Sequence, residues 1–258
     1  MDRRGSAKWK AFSRSTPTRS LTRESRRNTN LDLKDRFGSE RGRFIELDQT
    51  WFDRSSLIQD NQATMSAPAI SRYPVPDLAE LPEDVRARML EVQEKAGFIP
   101  NVFLTLAHRP EEFRAFFAYH DALMLRDSGL SKAEREMIVV ATSGANDCLY
   151  CIVAHGAILR VYAKHPLVAD QIAVNYRKAD ITDRQKAMLN FALKVALRSV
   201  ELVDADYASV KKHGFTDEDI WDIGAIAAFF ALSNRMANLI SMRPNDEFYL
   251  MGRMAKAK

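Results

Sequence analysis

Asn146-Asp147-Cys148-Leu149-Tyr150-Cys151-Ile152-Val153-Ala154-His155 holds both cysteines of a 258-residue chain. Residues three and four apart share one face of an α-helix. Cys148 and Cys151 differ by three and Cys151 and His155 by four, so a helix here lines all of them along one stripe. Asn146 and Asp147 are good N-cap residues, which puts Cys148 in the first turn and carries the helix to about Ala163. The unpaired N–H groups and positive dipole end of a first turn stabilise a thiolate. Asp147, and Glu136 twelve residues upstream of Cys148, oppose that as anions. A vicinal dithiol beside an imidazole is what thiol redox chemistry needs: a thiolate to attack, a thiol to resolve and a base between them. His155 lies closer in register to Cys151, and Cys148, nearer the helix end, is expected to be the more exposed thiol.

Two other readings use the same residues. Free cysteine is among the most buried residue types, so the pair could be small hydrophobes beside a core histidine. Cys148, Cys151, His155 and Glu136 could also ligate zinc. Structural zinc sites normally draw on two ligand pairs, and no second CxxC or HxxxH exists here. Neither a metal nor another cofactor is expected.

Helical signals surround the stretch on both sides. Pro82 fits a first helical turn, with a stripe of Val85, Met89, Leu90 and Val92 that stops at Gly97. Phe98–Phe103 reads as a turn-and-dock segment, and Pro110 to Leu125 as a further helix. Ser131-Lys-Ala-Glu134 is a capping box that opens the helix bearing Glu136, and that helix is expected to stop near Gly144. Thr182-Asp-Arg-Gln185 and Thr216-Asp-Glu-Asp219 open two more, over about 183–198 and 217–240. No stretch alternates long enough for a strand. The reading is an all-α chain with the CxxC at the start of a helix.

Composition sets the outer bounds. Residues 1–64 carry 14 Lys and Arg against 9 Asp and Glu, which leaves 24 against 25 in residues 65–258. The basic balance therefore belongs to the leader, and the globular part gives no electrostatic reason to expect nucleic acid. Residues 1–64 have few regularly spaced apolar side chains and are expected to lack stable structure. They fit a product of start-site choice at Met65, with a basic tail or a transit peptide as the other readings. Residues 65–258 are expected to form one helical domain. The longest apolar run, Ala225–Leu232, is too short to span a bilayer. A single CxxC without a disulfide framework fits a cytoplasmic protein.

Glu136-x11-Cys148-x2-Cys151-x3-His155 resembles the active-site pattern of the alkylhydroperoxidase D family, within the carboxymuconolactone decarboxylase-like superfamily. Gly144–His155, Gly97–Phe103 and Leu106–Pro110 look like the branch called peroxidase-related proteins, and the likeness covers about residues 70–252. The resemblance implies an all-helical fold assembling as trimers or hexamers. It implies a peroxidase in which Cys151 attacks the peroxide, Cys148 resolves the sulfenic acid into a disulfide, and Glu136 with His155 relays the proton. A dithiol, of thioredoxin or lipoyl type, would return the electrons. Tyr150 departs from the pattern, standing where the family typically has a second histidine. Tyr150 and Asp147 are thus supporting rather than central candidates.

Other functional classes compete with a thiol peroxidase. One is a protein disulfide reductase or redox sensor, which needs an exposed first cysteine. Another is a non-enzymatic assembly module with a vestigial dithiol. Phe98, Phe103, Phe116 and Phe117 favour an apolar pocket for a peroxide. The segment Ile220–Ile240 is apolar on most faces, which predicts burial in a homo-oligomer: trimer, hexamer or dimer.

Overall fold

The computed structural model describes residues 69–253, so the expectations for residues 1–64 lie outside it. The described residues form ten α-helices and no strand. They are α1 (Glu83–Ala96), α2 (Asn101–Leu106), α3 (Pro110–Met124), α4 (Lys132–Ala145), α5 (Leu149–Ala163), α6 (Val168–Asn175), α7 (Asp183–Arg198), α8 (Asp204–Lys211), α9 (Asp217–Leu239) and α10 (Glu247–Leu250).

All three capping boxes form. Ser131, Thr182 and Thr216 each accept from the backbone N–H three residues on, and Glu134, Gln185 and Asp219 reach back to the cap. Those reciprocal bonds satisfy donors that a helix start would otherwise leave unpaired. α4 is the central element: every residue from Glu134 to Ser143 is buried. It packs between α5, α6, α7 and α9. Its apolar side chains Ile138, Val139 and Val140 meet Ile172, Met188, Leu189, Ile223 and Ile226 in the main core.

Four helices escape the sequence reading. α2 stands where a turn was expected, and α6, α8 and α10 span only four to eight residues. α8 buries Val210 alone, too little to leave a periodic stripe.

The turn between α4 and α5 sets the site. Asp147 adopts a left-handed conformation, φ 51°. Its N–H donates to Gly144 O at 3.2 Å, and that of Cys148 to Ser143 O at 3.0 Å. This double closure is a Schellman motif ending α4. Cys148, extended at φ −93° and ψ 96°, is then the N-cap of α5. The expectation that Asn146 or Asp147 caps α5 is therefore corrected. Asp147 belongs to the end of α4, and the cysteine itself begins the next helix.

Candidate active site

α4 and α5 run side by side and bring the four predicted residues to one place. Glu136 Oε2 lies 2.8 Å from His155 Nδ1. Both side chains are mostly buried, at 7% and 14% exposure. A carboxylate on Nδ1 holds the proton there in the neutral imidazole and leaves Nε2 as the free base. Phe230 of α9 stands edge-on to the His155 ring, with centroids 4.8 Å apart. That contact fixes the ring from the other side.

Cys148 and Cys151 sit at the bottom of a small core with Ala154, Ala157, Ala237, Ile240, Met242 and Phe248. Their exposures are 0% and 1%, so Cys148 is not the more exposed thiol. Closing α4 on the N-cap carries it inside. The Cys148 thiol is nonetheless drawn down to about 7. The Cys151 thiol donates to its thiolate, which outweighs burial, and the Cys151 backbone N–H, the Asn234 amide and the His155 charge add to it. Cys151 is pushed well up, because Cys148 and burial both oppose a second charge. The pair thus loses one proton readily and holds the other.

The supporting candidates lie elsewhere. Burial holds the Tyr150 phenol neutral by raising its pKa. Its hydroxyl accepts from the Val102 N–H at 3.1 Å, in the first turn of α2. Tyr150 therefore fastens α5 to α2 and takes its oxygen out of the proton relay. Asp147 is exposed and acts through its backbone. Of the four phenylalanines, Phe98 packs on the dithiol core, where it meets Phe248 edge-on at 5.1 Å. Phe103 and Phe117 stack at 4.2 Å in a separate cluster under α1 and α3, joined by Phe116.

Three residues that sequence reasoning missed come from α9. Besides Phe230, Ser233 Oγ lies 3.9 Å from Cys151 Sγ, and Asn234 is wholly buried behind the pair. Their only sequence signal is polarity inside an apolar helix. A cavity of about 690 Å³ lies between α3 and a different face of α9, against Phe116, Tyr119, Leu232 and Leu239. None of the four site residues lines it. Among the described residues no group of three His, Cys, Asp or Glu is placed to hold a metal ion. Nor is any described helix long and apolar enough to cross a membrane.

Comparison with known proteins follows the same residues. A model of the carboxymuconolactone decarboxylase family matches residues 110–164, a span that holds Glu136, Cys148, Cys151 and His155. The chain is similar to an alkylhydroperoxidase AhpD core, an uncharacterized peroxidase-related protein from Ralstonia eutropha JMP134. Identity there is 74% with a TM-score of 0.73, over 74% of this chain and 100% of that one. A peroxidase-related protein from Silicibacter sp. TM1040 is 39% identical over the same shares, with a TM-score of 0.69. The debrominase Bmp8 has the same fold at 16% identity and a TM-score of 0.57, covering 72% of this chain and 97% of its own. No curated protein matches the chain significantly.

Proposed function

We propose that this chain, which belongs to the alkylhydroperoxidase D-like proteins of the carboxymuconolactone decarboxylase family, is a thiol peroxidase acting on hydrogen peroxide or organic hydroperoxides. One observation carries the reading: a buried cysteine pair at the start of a helix whose next turn carries a histidine already paired with a carboxylate.

The cycle balances with these groups alone and an external dithiol. His155 takes the first proton of the pair, and Glu136 holds the resulting imidazolium. The charge at rest sits on Cys148; a proton shift along the Cys148–Cys151 hydrogen bond passes it to Cys151. The Cys151 sulfur attacks one peroxide oxygen, forming S–O and breaking O–O, and His155 returns its proton to the departing alkoxide. Cys148 then attacks the sulfenic sulfur. Its thiol proton leaves with the hydroxide as water, and the disulfide holds the oxidation. A dithiol donor restores the pair with two electrons and two protons. Burial of both sulfurs favours a small hydroperoxide over a protein disulfide, which needs an exposed cysteine to dock. The functional form is proposed to be a cytoplasmic homo-oligomer.

The test is consumption of cumene hydroperoxide and hydrogen peroxide by purified protein with a panel of dithiol donors. Cys151→Ser should abolish it, Cys148→Ser should leave one turnover that stalls at the sulfenic acid, and Glu136→Gln should slow attack while the disulfide still forms. If Cys148→Ser loses the first turnover and Cys151→Ser keeps it, the two roles are reversed. If the wild-type protein consumes neither peroxide with any donor, the reading fails.

A further inference from the structure

We infer that Ser233 and Asn234, consecutive on α9, are a donor wall for the dithiol: they hydrogen-bond the sulfurs and set how readily the pair carries negative charge. The inference rests on the dithiol cycle proposed above and assigns that site two further residues, on a helix remote in sequence from the CxxC.

Burying a polar side chain costs free energy unless it finds a partner. Beyond its first turns, where Asp219 closes the cap with Thr216 and Asp222 pairs with Arg126, the buried face of α9 is apolar, with Ile223, Ile226, Phe230 and Ala237, yet it carries Ser233 at 8% exposure and Asn234 at 0%. Both sit opposite the start of α5. Ser233 Oγ approaches Cys151 Sγ at 3.9 Å, within reach of a hydroxyl-to-sulfur hydrogen bond. Asn234 Oδ1 accepts from Asn146 Nδ2 at 3.0 Å, and its own Nδ2 donates to Ser143 Oγ at 2.9 Å. Those bonds tie α9 to the last turn of α4 and to the connection before Cys148. A side-chain amide has two N–H donors. Ser143 takes one, and no oxygen among the described residues takes the other.

Its proposed partners are the sulfurs. The Asn234 amide favours the ionised form of both cysteines, and the Ser233 hydroxyl that of Cys151. A buried thiolate has lost its water, and oriented donors replace that solvation with bonds stronger than neutral ones. Stabilising the thiolate also stabilises the reduced pair, so the same donors make the disulfide easier to reduce. The other titratable groups at the pair are His155 on α5, Glu136 on α4, and Tyr150, whose hydroxyl is held by Val102.

Single-cysteine variants separate the two titrations, since the chain holds only two cysteines. In Cys148→Ala, the thiolate absorbance of Cys151 is followed against pH. Adding Ser233→Ala should raise its midpoint by about one pH unit, the worth of one hydrogen bond to a charged group. Ser233→Thr keeps the hydroxyl and should hold the midpoint. Asn234→Leu has no donor at similar size, and should raise the midpoint in both the Cys148→Ala and Cys151→Ala backgrounds. With both cysteines present the resting charge sits on Cys148, so Asn234→Leu, rather than Ser233→Ala, should move the dithiol–disulfide equilibrium about tenfold toward disulfide, some 30 mV more negative. If Asn234→Leu does not fold, the serine series decides alone. A Ser233→Ala midpoint equal to its parent's, whatever the melting temperature, makes Ser233 a packing residue and overturns the inference. These titrations use no peroxide, so a wild-type protein that fails to consume hydroperoxide sinks the proposed activity without touching their outcome.

Discussion

At the scale of single residues, the charge on the cysteine pair governs reactivity. The first proton leaves Cys148 at about 7, and the neutral dithiol below that pH has no thiolate to pass to Cys151. Peroxide consumption should therefore rise through neutral pH, falling about tenfold for each unit below the midpoint. Stopped-flow rates at saturating donor between pH 5 and 9 check this; a flat profile would show that ionisation of the pair does not limit attack. Tyr150 gives the opposite kind of prediction. Phe at 150 leaves the half-buried Val102 N–H without its acceptor, at a cost of about 1 kcal/mol, and should leave the rate per folded molecule unchanged. A large loss of rate in Tyr150→Phe at full stability would return the phenol to the relay. The Glu136, Cys148, Cys151 and His155 spacing was legible in the sequence because helical register ties three of them together. Ser233 and Asn234 were not legible, because nothing local in α9 says which side chains from elsewhere they will meet.

At the scale of elements, helix starts were readable and helix ends less so. Ser131, Thr182 and Thr216 announce α4, α7 and α9 with side-chain chemistry that acts within three residues. Gly97 marks the end of α1 in the same way, at φ 86°. The ends of α4, α5 and α9 instead place Asp147, Lys164 and Ser241 in the left-handed region, φ 51–54°, and no glycine marks them. This explains the misplaced cap before Cys148. Gly144, read as a stop, serves another purpose: a Cβ there would meet Ala173 O of α6 at 2.8 Å, so it permits the close approach of α4 and α6. Asp147 can be tested directly. Valine in a left-handed position should cost about 1–2 kcal/mol, whereas glycine should be tolerated within about 1 kcal/mol. Denaturant unfolding of Asp147→Val and Asp147→Gly compares the two. Equal loss in both would mean that the carboxylate, not the backbone, holds the turn.

At the scale of the molecule, α9 divides its apolar surface between two tasks. Ile220, Ile223, Ile226, Phe229, Phe230 and Ile240 are buried within the protomer, which accounts for much of the apolar girth that the sequence presents. Leu232 and Leu239 remain 53% and 57% exposed, on one wall of the groove of about 690 Å³, facing Tyr119 at 50%. Large apolar side chains exposed together in one concave place are unusual on a monomer and mark a contact surface. A second copy is the expected occupant. The groove carries Arg109 and Glu112 as an internal ion pair at 3.6 Å, so it offers no net charge to select an ionic ligand. Light scattering at micromolar concentration should give a multiple of the protomer mass. Leu232→Glu with Leu239→Glu should reduce it to the protomer, because each carboxylate would have to be desolvated at the contact. Both positions are exposed in the protomer, so its own melting should change little. A wild-type protein of protomer mass would refute the oligomer itself. An oligomer that survives both substitutions would place the contact on another face.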